Sequence, residues 1–330
     1  MARPTILLTR QEIAEGVDAT VAVSAIENAL GDFEKGRDYL PPKAIYEIPV
    51  EGTGAWAACI TGYTRNTELL SMKVGQERTD NATKQLPTTN SWLTVFEPVT
   101  GELLMICDGT LPTMLRTASA AAVGVKHLAR ADAKTLTVVG AGQLGRQCLR
   151  LVSTVRLFER IFLCDKFEQA ANQAAEDLAA TTRVPIEVVD SETACRQADA
   201  IVTATNSREP IVMDKWIRPG THLSCMGSDL PDKMECEMSL LPRCRIVADK
   251  MDHAIKRGEV SQAVENGILD ENCYKGNLGQ VINRDLPGRT DDQQITMFDG
   301  VGIGIQDTTI ARTIYDQAVA KNLGTQLSFS

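Results

Sequence analysis

The chain has 330 residues, 43% hydrophobic and 23% charged, with a formal net charge of −9 at pH 7. That length exceeds a usual single domain and supplies a sizeable core, so two domains sharing a cleft are expected. The acidic balance, with no basic stripe for phosphates, argues against a nucleic-acid partner, and no apolar run reaches the roughly 18 to 20 residues that span a bilayer.

The N-terminus MARPTILLTRQEI turns polar after Leu8, too early for a signal-peptide core. Nine cysteines, odd in number and scattered, form no C-x-x-C pair and share no ligand spacing with His127, His222 or His253. Free thiols in cores, a cytoplasmic location and no metal site follow as expectations.

A short strand, Thr5 to Leu8, opens the chain, with Thr9 or Asp18 as helix caps after it. Val21, Val23, Ile26, Leu30 and Phe33 then recur near helical spacing. From Pro41 to Cys107 short β-prone runs take over: Ala44 to Pro49, Ala55 to Tyr63, Leu69 to Val74, Ser91 to Glu97 and Leu103 to Cys107. Turn signals such as Glu51-Gly52 and Thr100-Gly101 separate them, which predicts an antiparallel-type sheet. An alanine-rich helix follows from Arg116 to Ala129.

The stretch TLTVVGAGQLG, Thr135 to Gly145, changes the rhythm. A β-branched run stops at glycine, Gly140, Gly142 and Gly145 stand at G-x-G-x-x-G spacing, and a helical pattern begins at Gln143 and Leu144. Strand, glycine turn and helix in that order make a dinucleotide-binding turn, whose helix N-terminus offers unpaired N–H groups to a pyrophosphate. An ordinary βα turn is the alternative. RIFLCD, Arg160 to Asp165, reads as the next strand and ends on an acid. Asp165 there accepts hydrogen bonds from ribose hydroxyls and repels a 2′-phosphate, favouring NAD over NADP; the cation of Lys166 beside it works the other way. Strands at Glu187 to Val189, Ala200 to Thr203, Thr221 to Cys225, Arg245 to Ala248 and Gln294 to Phe298 alternate with helices, among them Glu168 to Ala180 and Ser191 to Gln197. The last helix spans Gly302 to Val319. This is a doubly wound α/β sheet.

Several residues could carry chemistry. Lys73 lies inside a strand, a candidate for chemistry whose plain reading is a lysine snorkelling on an exposed face. Arg116 opens a helix of small residues, where a guanidinium could clamp a carboxylate or simply face solvent. Asp229 follows a strand and the turn Met226-Gly227, beyond a strand's carboxyl end where α/β sheets bind ligands; a helix cap is the other reading. Thr203, Thr205 and Asn206 end another strand with hydroxyls and an amide, suited to a cofactor's nicotinamide side or to a plain polar loop.

Together these residues resemble the ornithine cyclodeaminase/mu-crystallin family over nearly the whole chain. The matching pieces are LLSMKV around Lys73, QLPTTNSWLTVFEPVTGELL from Gln85, DGTLPTMLRTASAAAV from Asp108, VVGAGQLG from Val138, MGSDLPDKME around Asp229 and ITMFDGVGIGIQD from Ile295. The resemblance implies a Rossmann-type doubly wound NAD-binding domain, residues 118–307. It also implies an α+β substrate-binding and dimerisation domain, residues 1–117, to which a C-terminal helix, 308–330, returns. It implies a homodimer, a small amino or imino acid as substrate, and NAD(P)(H) chemistry at a C–N bond next to a carboxylate.

Carried over by position, Lys73 and Asp229 are the catalytic pair. The resemblance implies that Arg116, Lys43, Thr88, Val301 and Gly302 contact substrate. Together with the glycine turn and the strand ends, it makes Thr117, Gly140, Gly142, Gln143, Leu144, Gly145, Asp165, Lys166, Thr203, Thr205, Asn206, Met226 and Gly227 the expected cofactor contacts.

Two departures stand out. Lys43 replaces the family's arginine after Pro-Pro, keeping the charge without the fork. The stretch Gly54 to Ile60 has no glutamate to hold a distal amine, which speaks against ornithine or lysine cyclisation. The expected activity is an imino acid reductase or amino acid dehydrogenase for a small substrate, with a dicarboxylic one such as iminosuccinate suited to the excess of cations. Redox-neutral cyclodeamination with NAD recycled, and a non-enzymatic mu-crystallin-like nucleotide-binding role, are the alternatives.

Overall fold

The computed structural model describes residues 3–36, 38–48, 56–78, 81, 84, 86–87 and 89–329. It divides into two units, Met1–Arg116 with Ile303–Ser330, and Thr117–Gly302.

The first unit contains β1 (Thr5–Leu8), α1 (Arg10–Gly16), α2 (Val21–Phe33), β2 (Ala44–Glu47), β3 (Trp56–Thr64), β4 (Leu69–Glu77), β5 (Thr89–Phe96), β6 (Leu103–Asp108) and the start of α3 (Thr110–Leu128). Thr9 caps α1 through a reciprocal bond with Glu12, as the sequence suggests. Helix α3 begins six residues earlier than the expected Arg116, at Thr110. Pro112 sits in its first turn, where no intrahelical N–H is lost, and Asp108 accepts the Leu111 N–H at 2.9 Å. The expected strand ends Pro49 and Ala55 lie outside the described residues.

The second unit contains β7 (Thr135–Val139), α4 (Gln143–Val155), β8 (Arg160–Cys164), α5 (Glu168–Leu178), β9 (Ile186–Val188), α6 (Ser191–Gln197), β10 (Ala200–Thr203) and β11 (His222–Cys225). It continues with β12 (Cys244–Ala248), α7 (Met251–Arg257), α8 (Ser261–Glu265), β13 (Tyr274–Asn277), α9 (Leu278–Ile282) and β14 (Ile295–Asp299). The chain then re-enters the first unit with α10 (Gly304–Lys321) and β15 (Thr325–Leu327). The second segment of the first unit starts at Ile303, and α10 packs on that unit's sheet.

Among the described residues, the first unit's sheet runs β15-β1-β6-β5-β4-β3-β2, antiparallel from β6 to β2, with β1 parallel to β6. Leu69, Ser71 and Lys73 on β4 are buried while Met72 and Val74 are exposed, the period-two pattern of a strand with one covered face. α10 covers that face, lying on β3 and β4 and against α2. Its approach is close: a Cβ on Gly304 would lie 2.2 Å from the Thr61 carbonyl oxygen, so only glycine lets the helix start there. Thr308 then donates to the Gly62 carbonyl at 2.9 Å, fixing the helix's rotation over β3.

The second unit's sheet runs β13-β12-β14-β11-β10-β7-β8-β9, and its strand pairs are parallel. Strand order reverses between β7 and β10, the switch point at which doubly wound sheets open a ligand crevice. Fully buried Leu136, Val138, Ile201, Val202, Leu223, Met297 and Phe298 fill its interior, each worth about 1.5–3 kcal/mol on burial. β13 and β15 lack an alternating apolar pattern in sequence and form as edge strands beside β12 and β1. Among the described residues no helix is long and apolar enough to cross a membrane.

Candidate active site

In the first unit, β4, α3 and the start of α10 bring Lys73, Arg116 and Asp307 together, at 5%, 7% and 2% exposure. Lys73 Nζ donates to Asp307 Oδ1 at 2.7 Å and to Thr113 Oγ1 at 3.0 Å. Arg116 Nη1 donates to Gln306 Oε1 at 3.3 Å, and its Nε lies 3.4 Å from Asp307 Oδ1. Burial lowers the Lys73 ammonium to about 8, with Asp307 opposing the drop and the Arg116 and Lys43 charges adding to it. Burial pushes the Asp307 carboxyl up, but Lys73, Arg116 and Lys43 more than offset it and the net direction is down. Lys73 is therefore buried and does not snorkel on an exposed face.

Arg116 Nε, Gln306 Nε2 and Asp307 Oδ2 are buried without a hydrogen-bond partner among the described residues. Two donors and one acceptor in a cationic setting are the complement of a carboxylate next to an N–H group. Lys43 is partly buried just ahead of β2, and its charge acts on both Lys73 and Asp307. Thr88 lies outside the described residues.

In the second unit the glycine turn has the geometry of an anion cradle. Gly140 takes φ 110°, open to glycine, and donates its N–H to the Cys164 carbonyl at 2.8 Å. Gly142 is the N-cap of α4, with no side chain capping the helix, and a Cβ there would meet nothing within 4 Å. Gly145 packs on the turn so closely that a Cβ would lie 1.8 Å from the Gly140 oxygen. Gln143 and Leu144 complete the first helical turn, whose N–H groups and dipole attract an anion. Asp165 accepts the Ala141 N–H at 2.7 Å and the Phe167 N–H at 2.9 Å, so it braces the turn; Lys166 beside it is exposed. The free volume over Gly142 and the uncapped helix end fit a dinucleotide's pyrophosphate.

Past the ends of β10 and β11, Lys233 Nζ bridges Asp229 Oδ1 at 2.8 Å and Asn206 Oδ1 at 3.5 Å. Thr203 is fully buried and donates to Glu235, as does Thr205. Met226 and Thr117 are buried, and Gly227 donates its N–H to Glu235 at 2.9 Å. Val301 is 3% exposed, and Gly302, at φ 73°, donates its N–H to Asp249 at 2.7 Å. Among the described residues no group of His, Cys, Asp and Glu could hold a metal ion.

The residues not singled out from sequence are Asp307, Gln306, Thr113, Lys233, Glu235 and Glu259. Their signal was faint: Glu235 stands between Met234 and Cys236, an acid in an apolar setting, and the others look like ordinary polar positions. Periodicity marks such positions as interior without saying what satisfies the charge.

A family model described as the ornithine cyclodeaminase/mu-crystallin family matches residues 3–322. A solved archaeal alanine dehydrogenase dimer with bound NAD is 29% identical, covers 99% of this chain and 100% of its own, and has a TM-score of 0.93. The Δ1-pyrroline-2-carboxylate reductase of Thermococcus litoralis, solved with NADH and L-proline, is 28% identical over 97% of this chain and 99% of its own, with a TM-score of 0.93. The iminosuccinate reductase of Paracoccus denitrificans, solved with NAD+, is 30% identical over 99% and 100% of the two chains, with a TM-score of 0.91.

Proposed function

The chain belongs to the ornithine cyclodeaminase/mu-crystallin family, and from that premise we propose that it is an NAD(H)-dependent oxidoreductase acting on the C–N bond of a small amino or imino acid. The observation that carries the proposal is the buried cation cluster. Lys73 and Arg116 are both buried against one acid, Asp307, and the Lys43 charge acts on Lys73 and Asp307, so the setting is cationic and complements a substrate carboxylate. The iminosuccinate reductase of Paracoccus denitrificans is among the relatives, and a dicarboxylic imino acid of the iminosuccinate type is the substrate we read for this chain.

When bound, the cofactor supplies or accepts the hydride at the substrate's Cα. The chain's residues do the rest. Arg116 offers a planar fork to the carboxylate. Lys73 adds a point charge, held in place by Asp307 and Thr113. Lys43 serves as a further point charge. Asp229 holds or moves the proton at the substrate nitrogen, a role typically worth about 10²–10⁴ in rate. The turn from Gly140 to Gly145 binds the pyrophosphate, Asp165 selects NAD over NADP, and Thr205, Asn206, Gly227 and Val301 lie toward the nicotinamide.

The protein acts as a homodimer. Trp92, Val74, Met72 and Tyr46 share the sheet face of the first unit opposite α10 and are exposed, Trp92 by 60%. An apolar face of that kind calls for a partner, and a second copy is the simplest one. A cytoplasmic location completes the proposal.

The test is an NADH-consumption screen over 2-oxo acids with ammonia or methylamine, including oxaloacetate, pyruvate and cyclic imines. Oxaloacetate with ammonia is expected to be fastest, and Asp229→Ala to lower kcat about 10²-fold or more with NADH binding intact. No consumption with any imine would overturn the activity. Consumption confined to monocarboxylic imines would overturn the dicarboxylic substrate.

A further inference from the structure

Three carboxylates of the second unit have no part in the proposed chemistry, yet Glu235, Glu259 and Asp299 are buried to 0%, 1% and 0% exposure. A buried carboxylate is costly unless hydrogen bonds replace its water, so such a group has to be held by donors. Glu235 receives four. Its Oε1 accepts from the Thr205 N–H at 2.7 Å and the Thr205 hydroxyl at 2.8 Å. Its Oε2 accepts from the Thr203 hydroxyl at 2.6 Å and the Gly227 N–H at 2.9 Å.

Glu259 forms the next layer. It accepts from the Ser228 hydroxyl at 2.7 Å, from the Glu235 N–H at 2.9 Å and from the Cys236 N–H. Asp299, at the end of β14, accepts the Glu259 N–H at 3.0 Å and the Tyr274 hydroxyl at 2.6 Å. Space is kept for the arrangement: a Cβ on Gly227 would lie 2.4 Å from Glu235 Oε1, and one on Gly258 2.4 Å from Asp299 Oδ2.

The four donors to Glu235 come from the last residue of β10 and from the tips that follow β10 and β11, two strands paired side by side. These tips lie beyond the strands' carboxyl ends, where α/β sheets hold ligands. Neither strand supplies its own brace. A glutamate from outside both strands ties the tips together, and its own backbone is tied by a second acid anchored to a third strand.

We propose that Glu235 is a positioning residue for the nicotinamide half of the cofactor, clamping the β10 and β11 tips that receive it, with Glu259 and Asp299 as its brace. This rests on the NAD reading above. Glutamine at 235 has one acceptor oxygen instead of two, so its NH2 must face either the Thr205 N–H or the Gly227 N–H, donor against donor. The clamp opens on that side.

The test is calorimetric titration of the full-length protein with NADH and, separately, with ADP-ribose, which lacks the nicotinamide. Glu235→Gln is expected to weaken NADH about tenfold or more while ADP-ribose stays within about twofold. Thr203→Val removes one of the four donors and leaves the carboxylate, so a smaller loss, again confined to NADH, is expected. It decides the matter if Glu235→Gln does not fold. A general structural role would weaken both ligands alike. Equal losses, or unchanged NADH affinity in folded variants, overturn the clamp. A wild-type protein that binds neither ligand overturns the NAD reading and the clamp with it.

Discussion

Replacing Asp307 by asparagine removes the counter-charge of Lys73 while keeping the side chain's shape. At an effective dielectric of about 20, unit charges 2.7 Å apart interact by about 6 kcal/mol. Thr113 and local rearrangement absorb part of that, and the loss of an adjacent opposite charge moves a titration by about 1–3 pH units. In the wild-type protein Lys73 titrates at about 8, below its ordinary 10.5, because it is buried.

The sign follows. The ammonium is present below pH 8 and lost above it, so kcat/KM for a carboxylate substrate falls as pH rises through about 8. For stability the sense is opposite: between about 8 and 10.5 the unfolded chain binds this proton and the folded one does not, so burying Lys73 costs less as pH rises. In Asp307→Asn the alkaline limb shifts to lower pH by those 1–3 units. At pH 7 the charged fraction then drops between about twofold and a hundredfold, read as a rise in substrate KM. The assay is steady-state NADH oxidation over a pH series, with circular dichroism to show that the variant is folded. A limb that stays near pH 8 in folded Asp307→Asn would refute the assignment of Lys73 as a substrate cation tuned by Asp307.

The glycine turn yields a paired prediction. Gly142→Ala, at an ordinary φ of −67° with nothing within 4 Å, should leave stability within about 0.5 kcal/mol yet weaken NADH, because the free volume is ligand space. Gly145→Ala should instead cost about 1–3 kcal/mol or more in thermal unfolding, since its Cβ would lie 1.8 Å from the Gly140 oxygen. Equal NADH affinity in Gly142→Ala and wild type would count against the cradle. On the first unit's open sheet face, Trp92→Glu should convert dimer to monomer in light scattering, and an unchanged mass would place the interface elsewhere.

Much of the fold was legible because its signals are local. The β7 strand, the glycine turn and α4 lie within a few residues of one another, and one run of sequence carries the β-branched strand, the glycines and the helical period. The inner parallel strands of the second unit, β7, β8, β10, β11, β12 and β14, read as short apolar runs because their cores are buried on both faces. β13 and β15 escaped because an edge strand borrows its hydrogen bonds from a neighbour, and Tyr274 to Asn277 carries no period of its own.

The chemistry of single residues divides along the same line. Sequence alone determined that a dinucleotide turn, a strand lysine, a helix-opening arginine and an aspartate past a strand end exist in this chain. Only the tertiary structure decided that Lys73 points inward, since a one-residue shift of register would have turned it to solvent. Its partner Asp307 is 234 residues away, on a helix that reaches β3 because Gly304 lets it. Glu235 likewise reads as one acid among many until the fold converges four donors on it from two other strand tips. Local patterns set which groups a chain contains; burial and long-range contact set the charge they carry and what they hold in place.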